Sequence, residues 1–261
     1  MDPSFSSQQF SLGIMEFRAE ISFMALFTKA TFNLGHIQYR DFRCSSSLHF
    51  SYSSIIDISS NNFTGVLPCT SSNVGVLDLS NNSLSGSISH FLCYKMNESK
   101  RMSYLNLGRN LLSGEMADCW MLWQNLFTLN LGNNNLLGSI PTSIGSLIYL
   151  GSLHLYNNKF SGKLPSSLKN CTNLVTIDIG KNEFVGSIPS WIGHRFSSLV
   201  ILSLHSNNFY GYILEKLCFL TSLQILDLSN NKLFGSIPRC IDNFSAMATN
   251  NNSNGPLFLH E

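Results

Sequence analysis

The stretch Leu129-Asn-Leu-Gly-Asn-Asn-Asn-Leu-Leu-Gly-Ser-Ile-Pro141 shows an arrangement of apolar residues, asparagine and glycine that returns along most of the chain. Its central asparagine recurs at intervals of 24 or 25 residues, at Asn134, Asn158, Asn182, Asn207 and Asn231. A fixed period of about 20 to 50 residues is typical of proteins whose short units stack along one axis. The sequence therefore predicts a solenoid before any single helix or strand is assigned.

Earlier copies of the unit place Asn61, Asn82 and Asn110 at the position of Asn134, which makes eight repeats in all. The interval between Asn82 and Asn110 is longer, at 28 residues, because a polar insert covers residues 94–100. Insertions of this kind map to loops on one side of a solenoid. The insert is therefore expected to lie in a loop.

The repeats span residues 53–241, and the flanking segments do not follow the pattern. Residues 1–52 are interpreted as a poorly specified leader or a degenerate start of the array. Residues 242–261 are rich in turn-forming residues and have no apolar face, so they are predicted to form a disordered tail. The apolar run Ile21–Phe27 is far shorter than the roughly 20 residues of a membrane span, and it lacks the basic start and cleavage site of a signal peptide.

Each repeated position has a physical role. Leu153 and Leu155 alternate with polar residues, which is typical of a short strand that buries one face. Asn158 can hold the following turn from inside, Phe160 fills the next interior layer, and Gly162 marks a bend that needs a permissive backbone. We predict an α/β solenoid, a curved right-handed array of about eight 24-residue repeats. Its parallel β-sheet is expected on the concave side, with loops or short helical turns on the convex side.

The composition limits both the partners and the chemistry. Charged residues make up 12% of the 261 residues and the net charge is +1, so neither nucleic acid nor an anionic membrane surface is an expected partner. The repeated aspartates occupy one outward position in separate coils, at Asp57, Asp78, Asp178 and Asp227. A catalytic pair needs a shared pocket, which an open sheet does not offer. We expect no enzyme and no cofactor, and the lack of a close Cys/His pair argues against a metal site.

Four of the seven cysteines occur in two pairs with the same spacing. Cys93 and Cys119 lie eleven and nine positions after the asparagines of their repeats, and Cys218 and Cys240 repeat these offsets. Equivalent positions in adjacent coils are about 5 Å apart, within the reach of a disulfide. The spacing predicts the bridges Cys93–Cys119 and Cys218–Cys240 in an oxidising compartment, with buried free thiols as the alternative. Cys171 is interpreted as a small core residue.

The outward strand positions predict a binding patch. Most of them carry small or acidic residues, but repeats five to seven gather large amphipathic and titratable side chains, namely His154, Tyr156, Asp178, Lys181 and His205. Exposed aromatic and histidine side chains on a rigid sheet are the kind of group that anchors a partner. We predict that these residues bind a ligand on the concave face, with random drift at exposed positions as the alternative.

These residues resemble the plant extracellular leucine-rich repeat, whose unit reads Leu-x-x-Leu-x-Leu-x-x-Asn-x-Leu-Ser-Gly-x-Ile-Pro. Four segments resemble the middle ectodomain of plant receptor-like proteins of the fungal-elicitor and disease-resistance type. They are Asp118-Cys-Trp-Met-Leu-Trp123, Pro165-Ser-Ser-Leu-Lys-Asn-Cys-Thr172, Ile188-Pro-Ser-Trp-Ile-Gly193 and Ile237-Pro-Arg-Cys-Ile-Asp-Asn-Phe-Ser-Ala-Met247. The terminal caps, the non-repeat island and the membrane helix of such receptors are not found, so the chain resembles an internal piece or a truncated product. Kinase motifs are also missing, so signalling would need a partner.

The resemblance implies that the concave face binds a ligand or co-receptor in plant immunity or development, at the outer face of the plasma membrane or in the apoplast. The expected partners are a protein, peptide or glycan ligand and a receptor kinase co-receptor. Two alternatives remain, a secreted inhibitor of microbial wall-degrading enzymes similar to polygalacturonase inhibitors, and a non-functional truncated receptor fragment. The resemblance also implies N-glycosylation, for which Asn97 and Asn170 are the expected sites because both fall in loops.

Overall fold

The structure, a computed structural model, describes residues 32–33, 54–68, 72–94, 99–240 and 245–248. The α/β solenoid predicted from the sequence is confirmed, because parallel strands from successive coils stack into two sheets. Most of the leader and of the tail, together with Asn97, Cys44 and Cys69, lies outside the described residues.

Within the residues that the structure describes, the first sheet, called the main sheet here, contains nine parallel strands. Strands are numbered along the chain because they alternate between two sheets. Its members are β1 (Phe32–Asn33), β2 (Ser54–Asp57), β4 (Val74–Asp78), β6 (Tyr104–Asn106), β8 (Thr128–Asn130), β10 (Ser152–His154), β12 (Thr176–Asp178), β14 (Ile201–Ser203) and β16 (Ile225–Asp227). Strand β1 pairs with β2 through Phe32 and Ile56, which are 24 residues apart, the interval of the repeat.

The Leu-x-Leu alternation produces the main sheet and the core together. In β10, Leu153 is buried while Ser152 and His154 on either side are only partly covered. Leu155, the next inward residue, is also buried, and the same positions from Leu77 to Leu204 belong to one hydrophobic cluster. At the two ends of the array, Ile56, Ile58, Leu226 and Leu228 are partly buried and pack against this cluster. Each coil therefore completes its core only against its neighbours.

The repeated asparagine closes each coil onto the one before it. The Asn182 amide Nδ2 donates to the carbonyl oxygens of Ile179 and Gly180 in its own turn and of Leu155 in the preceding coil. Its Oδ1 accepts from the backbone N–H of Phe160. The role predicted for these asparagines, support of the turn from inside, is confirmed. We call them ladder asparagines and number the coils 1 to 8 by Asn61, Asn82, Asn110, Asn134, Asn158, Asn182, Asn207 and Asn231.

The residue before each ladder asparagine adopts the left-handed backbone conformation. This holds in every described coil, at Ser60, Asn81, Arg109, Asn133, Asn157, Lys181, Ser206 and Asn230, with φ between 52° and 57°. Asparagine tolerates this region better than most residues, which explains the frequent Asn-Asn pairs. Lys181 and Arg109 adopt it against their own preference.

A second sheet follows the ladder asparagines, and the sequence analysis did not predict it. Its strands are β3 (Thr64–Gly65), β5 (Ser83–Ser87), β7 (Leu111–Glu115), β9 (Asn135–Gly138), β11 (Lys159–Gly162), β13 (Glu183–Gly186), β15 (Asn208–Gly211) and β17 (Lys232–Leu233). Inside it, the rings of Phe160, Phe184 and Phe209 stack with centroids 6.2 Å apart. The glycine that ends most of these strands has positive φ, as Gly162 does at 76°.

Short helical segments cover the side opposite the main sheet, as predicted. They are α1 (Ser89–Leu92), α2 (Trp191–Arg195), α3 (Ser245–Ala248) and the 3₁₀ helices Trp120–Leu122, Thr142–Ser146, Ser166–Asn170 and Glu215–Phe219. Gly193 of α2 packs so closely on the backbone of Lys216 that any Cβ there would overlap its carbonyl oxygen. Within the described residues, no helix is long and apolar enough to cross a membrane.

Both predicted disulfides are present on the helical side. Cys93 bonds to Cys119 with Cα atoms 5.5 Å apart, and Cys218 bonds to Cys240 with Cα atoms 5.9 Å apart. Each bridge joins a cysteine eleven positions after one ladder asparagine to a cysteine nine positions after the next, which is the spacing that predicted both pairs. Cys171 is a buried free thiol in the described part of the chain, and burial raises its pKa to about 12.

Candidate ligand-binding face

The main sheet places two of the predicted patch residues, His154 and Asp178, in one row that continues through Ser203 and Asp227. His154 pairs with Asp178 across β10 and β12, Asp178 pairs with Ser203, and Ser203 pairs with Asp227. Neighbouring strands are about 4.8 Å apart, so these side chains are immediate neighbours on the outward face. The row is continuous along the strand pairing, although Ser203 itself is only 3% exposed.

Tyr156 lies flat against the preceding coil. Its ring covers Gly132 so closely that a Cβ at that position would overlap the ring carbons. The Tyr156 hydroxyl accepts a hydrogen bond of 3.0 Å from the Asn133 amide. The ring is therefore held in one orientation before any partner arrives, and Gly132 is needed because of it.

His205 repeats this arrangement two coils later. Its imidazole covers Gly180, where an added Cβ would overlap the ring, and Nδ1 is 3.1 Å from the Ser206 hydroxyl. The histidine also affects Asp227. Burial alone would raise the pKa of that carboxyl, but hydrogen bonds from the side chain and backbone of Ser229, together with the charge of His205, leave the pKa below its usual value.

Lys181 lies in the turn that follows β12, one residue before the ladder asparagine. Its backbone N–H donates to the His205 carbonyl oxygen at 2.9 Å, which fixes the turn next to the His205 ring. The side chain is exposed. The structure thus places all five predicted residues on coils 5, 6 and 7, four of them on the sheet face or its end and Lys181 at the adjoining turn.

The outward aspartates have a structural role that the sequence analysis missed. The Oδ1 atoms of Asp57, Asp78 and Asp227 each accept hydrogen bonds from the backbone and hydroxyl of the serine two residues later. Asp178 accepts from the Gly180 N–H in the same way, and asparagines do so in coils 3 and 4. These are Asx turns that end the strand. Coils 5 and 7, with His154 and Ser203 at this position, are the two departures.

A second polar group on the same face lies in coils 2 and 3. The Tyr104 hydroxyl donates to Asp78 Oδ2 at 3.3 Å, and the Asn106 amide donates to the same oxygen at 3.0 Å. Burial raises the pKa of Tyr104, and the nearby Asp78 carboxylate raises it further. In the sequence, the one signal for this group is a tyrosine, Tyr104, at an outward strand position.

Of the two predicted glycosylation sites, the structure describes only Asn170. It is exposed at the end of the 3₁₀ helix Ser166–Asn170, on the helical side and away from the patch. Glycosylation of Asn170 therefore stays a prediction that the geometry allows.

Comparison with known proteins agrees with the coil pattern. The Leucine Rich Repeat family matches residues 73–94, 125–147, 149–171, 173–194 and 222–244. The chain is a leucine-rich-repeat solenoid. Over 75 residues the array is 47% identical to receptor-like protein EIX2 of Solanum lycopersicum, a match that covers 29% of this chain and 7% of that protein.

Solved structures of plant receptors share the fold of the leucine-rich-repeat array. A TDR receptor superposes with a TM-score of 0.68 at 28% identity, covering 75% of this chain and 33% of the receptor. The Arabidopsis receptor kinase HAESA, solved with the peptide hormone IDA and the co-receptor SERK1, superposes with a TM-score of 0.68 at 26% identity. This match covers 76% of this chain and 36% of that chain. The plant peptide hormone receptor RGFR1, solved with RGF2, superposes with a TM-score of 0.61 at 27% identity. This match covers 75% of this chain and 34% of that chain. The array is therefore similar to the arrays of these plant receptors, and it covers about a third of each of their chains.

Proposed function

We propose that this leucine-rich-repeat array binds an extracellular peptide or protein ligand on its main sheet, as part of a plant cell-surface receptor-like protein. The observation that carries the proposal is the arrangement of the Tyr156 and His205 rings, each fixed over a glycine of the preceding coil. Rigid, amphipathic rings lose little conformational entropy on binding, which makes them good anchors. Asp178 and Lys181 between them supply both signs of charge.

The same contacts favour a binding surface over a catalytic one. The outward carboxylates Asp57, Asp78, Asp178 and Asp227 already accept hydrogen bonds within their own turns. These carboxylates therefore stabilise the backbone of their own turns. A general base would instead need to face a substrate proton within a shared pocket. The proposed array is non-catalytic and passes its signal through a partner, for which a receptor kinase co-receptor is the proposed class.

The disulfides and the relatives support an extracellular location for the proposed receptor array. Two disulfides between adjacent coils suit the oxidising environment outside the cell. HAESA was solved with a peptide hormone and a co-receptor, and EIX2 is a receptor-like protein. We therefore place the array at the outer face of the plasma membrane, in immune or developmental signalling, with a glycan on Asn170.

A displayed library of random 12-residue peptides tests this proposal. The chain, secreted from eukaryotic cells, selects peptides, and the enriched ones are synthesised for measurement of the dissociation constant. Tyr156→Ala should weaken binding by more than about 1 kcal/mol, roughly fivefold, without lowering the melting temperature. Tyr210→Ala is the matched control, because Tyr210 is an exposed tyrosine on the second sheet.

Two outcomes would count against the proposal. If no peptide is enriched over a heat-denatured sample, the array does not bind peptides on this face. If Tyr156→Ala and Tyr210→Ala bind the selected peptides equally well, the binding face is elsewhere and the patch residues are drift at exposed positions.

A further inference from the structure

A row of apolar side chains borders the main sheet on the side where its strands begin, at the opposite end of the strands from Tyr156 and His205. The backbones of Phe127, Gly151, Val175 and Val200 are joined in that order by N–H···O hydrogen bonds of 2.8 Å, so these positions stack from coil 4 to coil 7. Phe127 is 51% exposed, although the same position is Ser103 in coil 3. We call Phe127, Ile148, Tyr149, Val175 and Val200 the rim surface.

Coil 5 contributes two further apolar residues where its neighbours are polar. Ile148 and Tyr149 are 48% and 54% exposed, and they occupy the positions of Thr172 and Asn173 in coil 6. In coil 6 the Asn173 amide donates to the Ile148 carbonyl oxygen at 2.8 Å and ties the two coils together. Coil 5 gives up this hydrogen bond and exposes a tyrosine instead, which stability alone does not explain.

The Phe127 ring, like the two rings of the patch, covers a glycine of an adjacent coil, here the following one. It covers Gly151, where a Cβ would overlap the ring carbons, just as Tyr156 covers Gly132 and His205 covers Gly180. The rim surface thus has its own preorganised aromatic anchor. All of its coils have described neighbours on both sides, so the exposure of its residues does not depend on the ends of the array.

Between the rim surface and the patch the face of the sheet is lined by hydroxyl groups. The next outward position along the strands carries Thr128, Ser152 and Thr176, and the position after it carries Asn130, His154 and Asp178. From Phe127 to the position of Tyr156 the strand advances five residues, or about 16 Å at 3.3 Å per residue. Along the strand direction, the exposed face therefore begins with the apolar rim surface, continues with hydroxyl groups and ends with titratable and aromatic side chains. These three regions together span the length of about five extended residues.

We propose that the rim surface binds a bulky apolar side chain of an extended peptide, whose residues about five to seven positions away contact Tyr156 and His205. The inference rests on the proposed function and adds to it the class of ligand, a linear peptide with one apolar anchor. An extended peptide with varied side chains matches these three regions. Its backbone can contact the hydroxyl groups while its side chains contact the rim surface and the patch.

The test uses the peptides enriched from the random 12-residue library by the secreted full-length chain. The rim variant is Ile148→Thr/Tyr149→Asn, which installs the residues that coil 6 carries and so preserves the fold. Phe219→Ala, a change of an exposed aromatic residue on the helical side, is the control. In the peptide, each bulky apolar residue is replaced by alanine in turn, and dissociation constants are measured for all combinations.

We expect one apolar position of the peptide to contribute to the affinity through contact with the rim surface. Its replacement should weaken binding to the wild type by at least about tenfold, but should weaken binding to the rim variant far less, since two of the apolar side chains that it contacts are already polar there. Phe219→Ala should bind like the wild type. Equal losses on both proteins, or wild-type binding by the rim variant, would overturn the inference while leaving a Tyr156-dependent site intact. Failure to enrich any peptide would overturn the proposed function and this inference together.

Discussion

At the scale of single residues, the ladder asparagines hold the coils together because one amide satisfies several buried backbone groups at once. Asn182 supplies donors to three carbonyl oxygens and an acceptor to the Phe160 N–H. Buried backbone groups that lose their partners are costly, whereas an exposed asparagine has water as an alternative. The position of an asparagine within the coil therefore decides its importance.

Asn182→Ala should lower the free energy of unfolding by about 3 kcal/mol, because it leaves buried backbone groups without partners. Urea denaturation followed by circular dichroism measures the loss. Asn135→Ala, at an exposed position of β9, should change the stability by less than about 0.5 kcal/mol. Similar losses for the two variants would refute the role of the ladder.

The Asp227 carboxylate should make stability depend on pH in the acid range. Its pKa in the folded chain is below the ordinary value of 3.8, so it stabilises the fold above pH 3.8 and loses this contribution as the pH falls through the folded value. Asp227→Asn keeps an acceptor for Ser229 but does not titrate. Between about pH 5 and pH 2 the variant should lose less stability than the wild type, and parallel curves from denaturation at stepped pH would be evidence against this effect.

At the scale of elements, the sequence predicted the features that recur at a fixed position in the repeat. It did not predict the features that arise only when neighbouring coils stack. The strands with Leu-x-Leu and the cysteine pairs could be predicted because their phase is visible along the chain. The second sheet could not, because a strand such as Lys159–Gly162 buries only Phe160 and has no Leu-x-Leu alternation to reveal it. The rings over Gly132 and Gly180 were also missed, since those glycines look like ordinary turn residues until the next coil is stacked on them.

The disulfides link the helical segments of adjacent coils and should stabilise them individually. Cys218 and Cys240 close a loop with a sequence separation of 22 residues. Replacing both with serine should therefore reduce stability by roughly 3 kcal/mol, an estimate based on loop entropy. Thermal unfolding of the variant measures this loss, and peptide mapping of the wild type without reductant should recover the two bridges as linked peptides. Linked peptides of any other connectivity would disprove the pairing.

At the scale of the whole molecule, stability should vary along the array because each coil depends on its neighbours. Leu153 and Leu155 in coil 5 are fully buried, whereas Ile56 and Ile58 in coil 1 are only partly buried. Amides of β10 and β12 should exchange with deuterium more slowly than those of β2 and β16. Equal exchange along the main sheet would mean that the array unfolds as one cooperative unit.

The central claim is that the ligand lies on the main sheet over coils 5 to 7. Hydroxyl-radical footprinting, which measures how fast individual side chains are oxidised, tests it most directly with a selected peptide added to the wild-type chain. We expect Tyr156, His154 and His205 to become protected, while Tyr210 on the second sheet and Phe219 on the helical side react at unchanged rates. Protection of Tyr210 or Phe219, with Tyr156 and the two histidines still reactive, would contradict it.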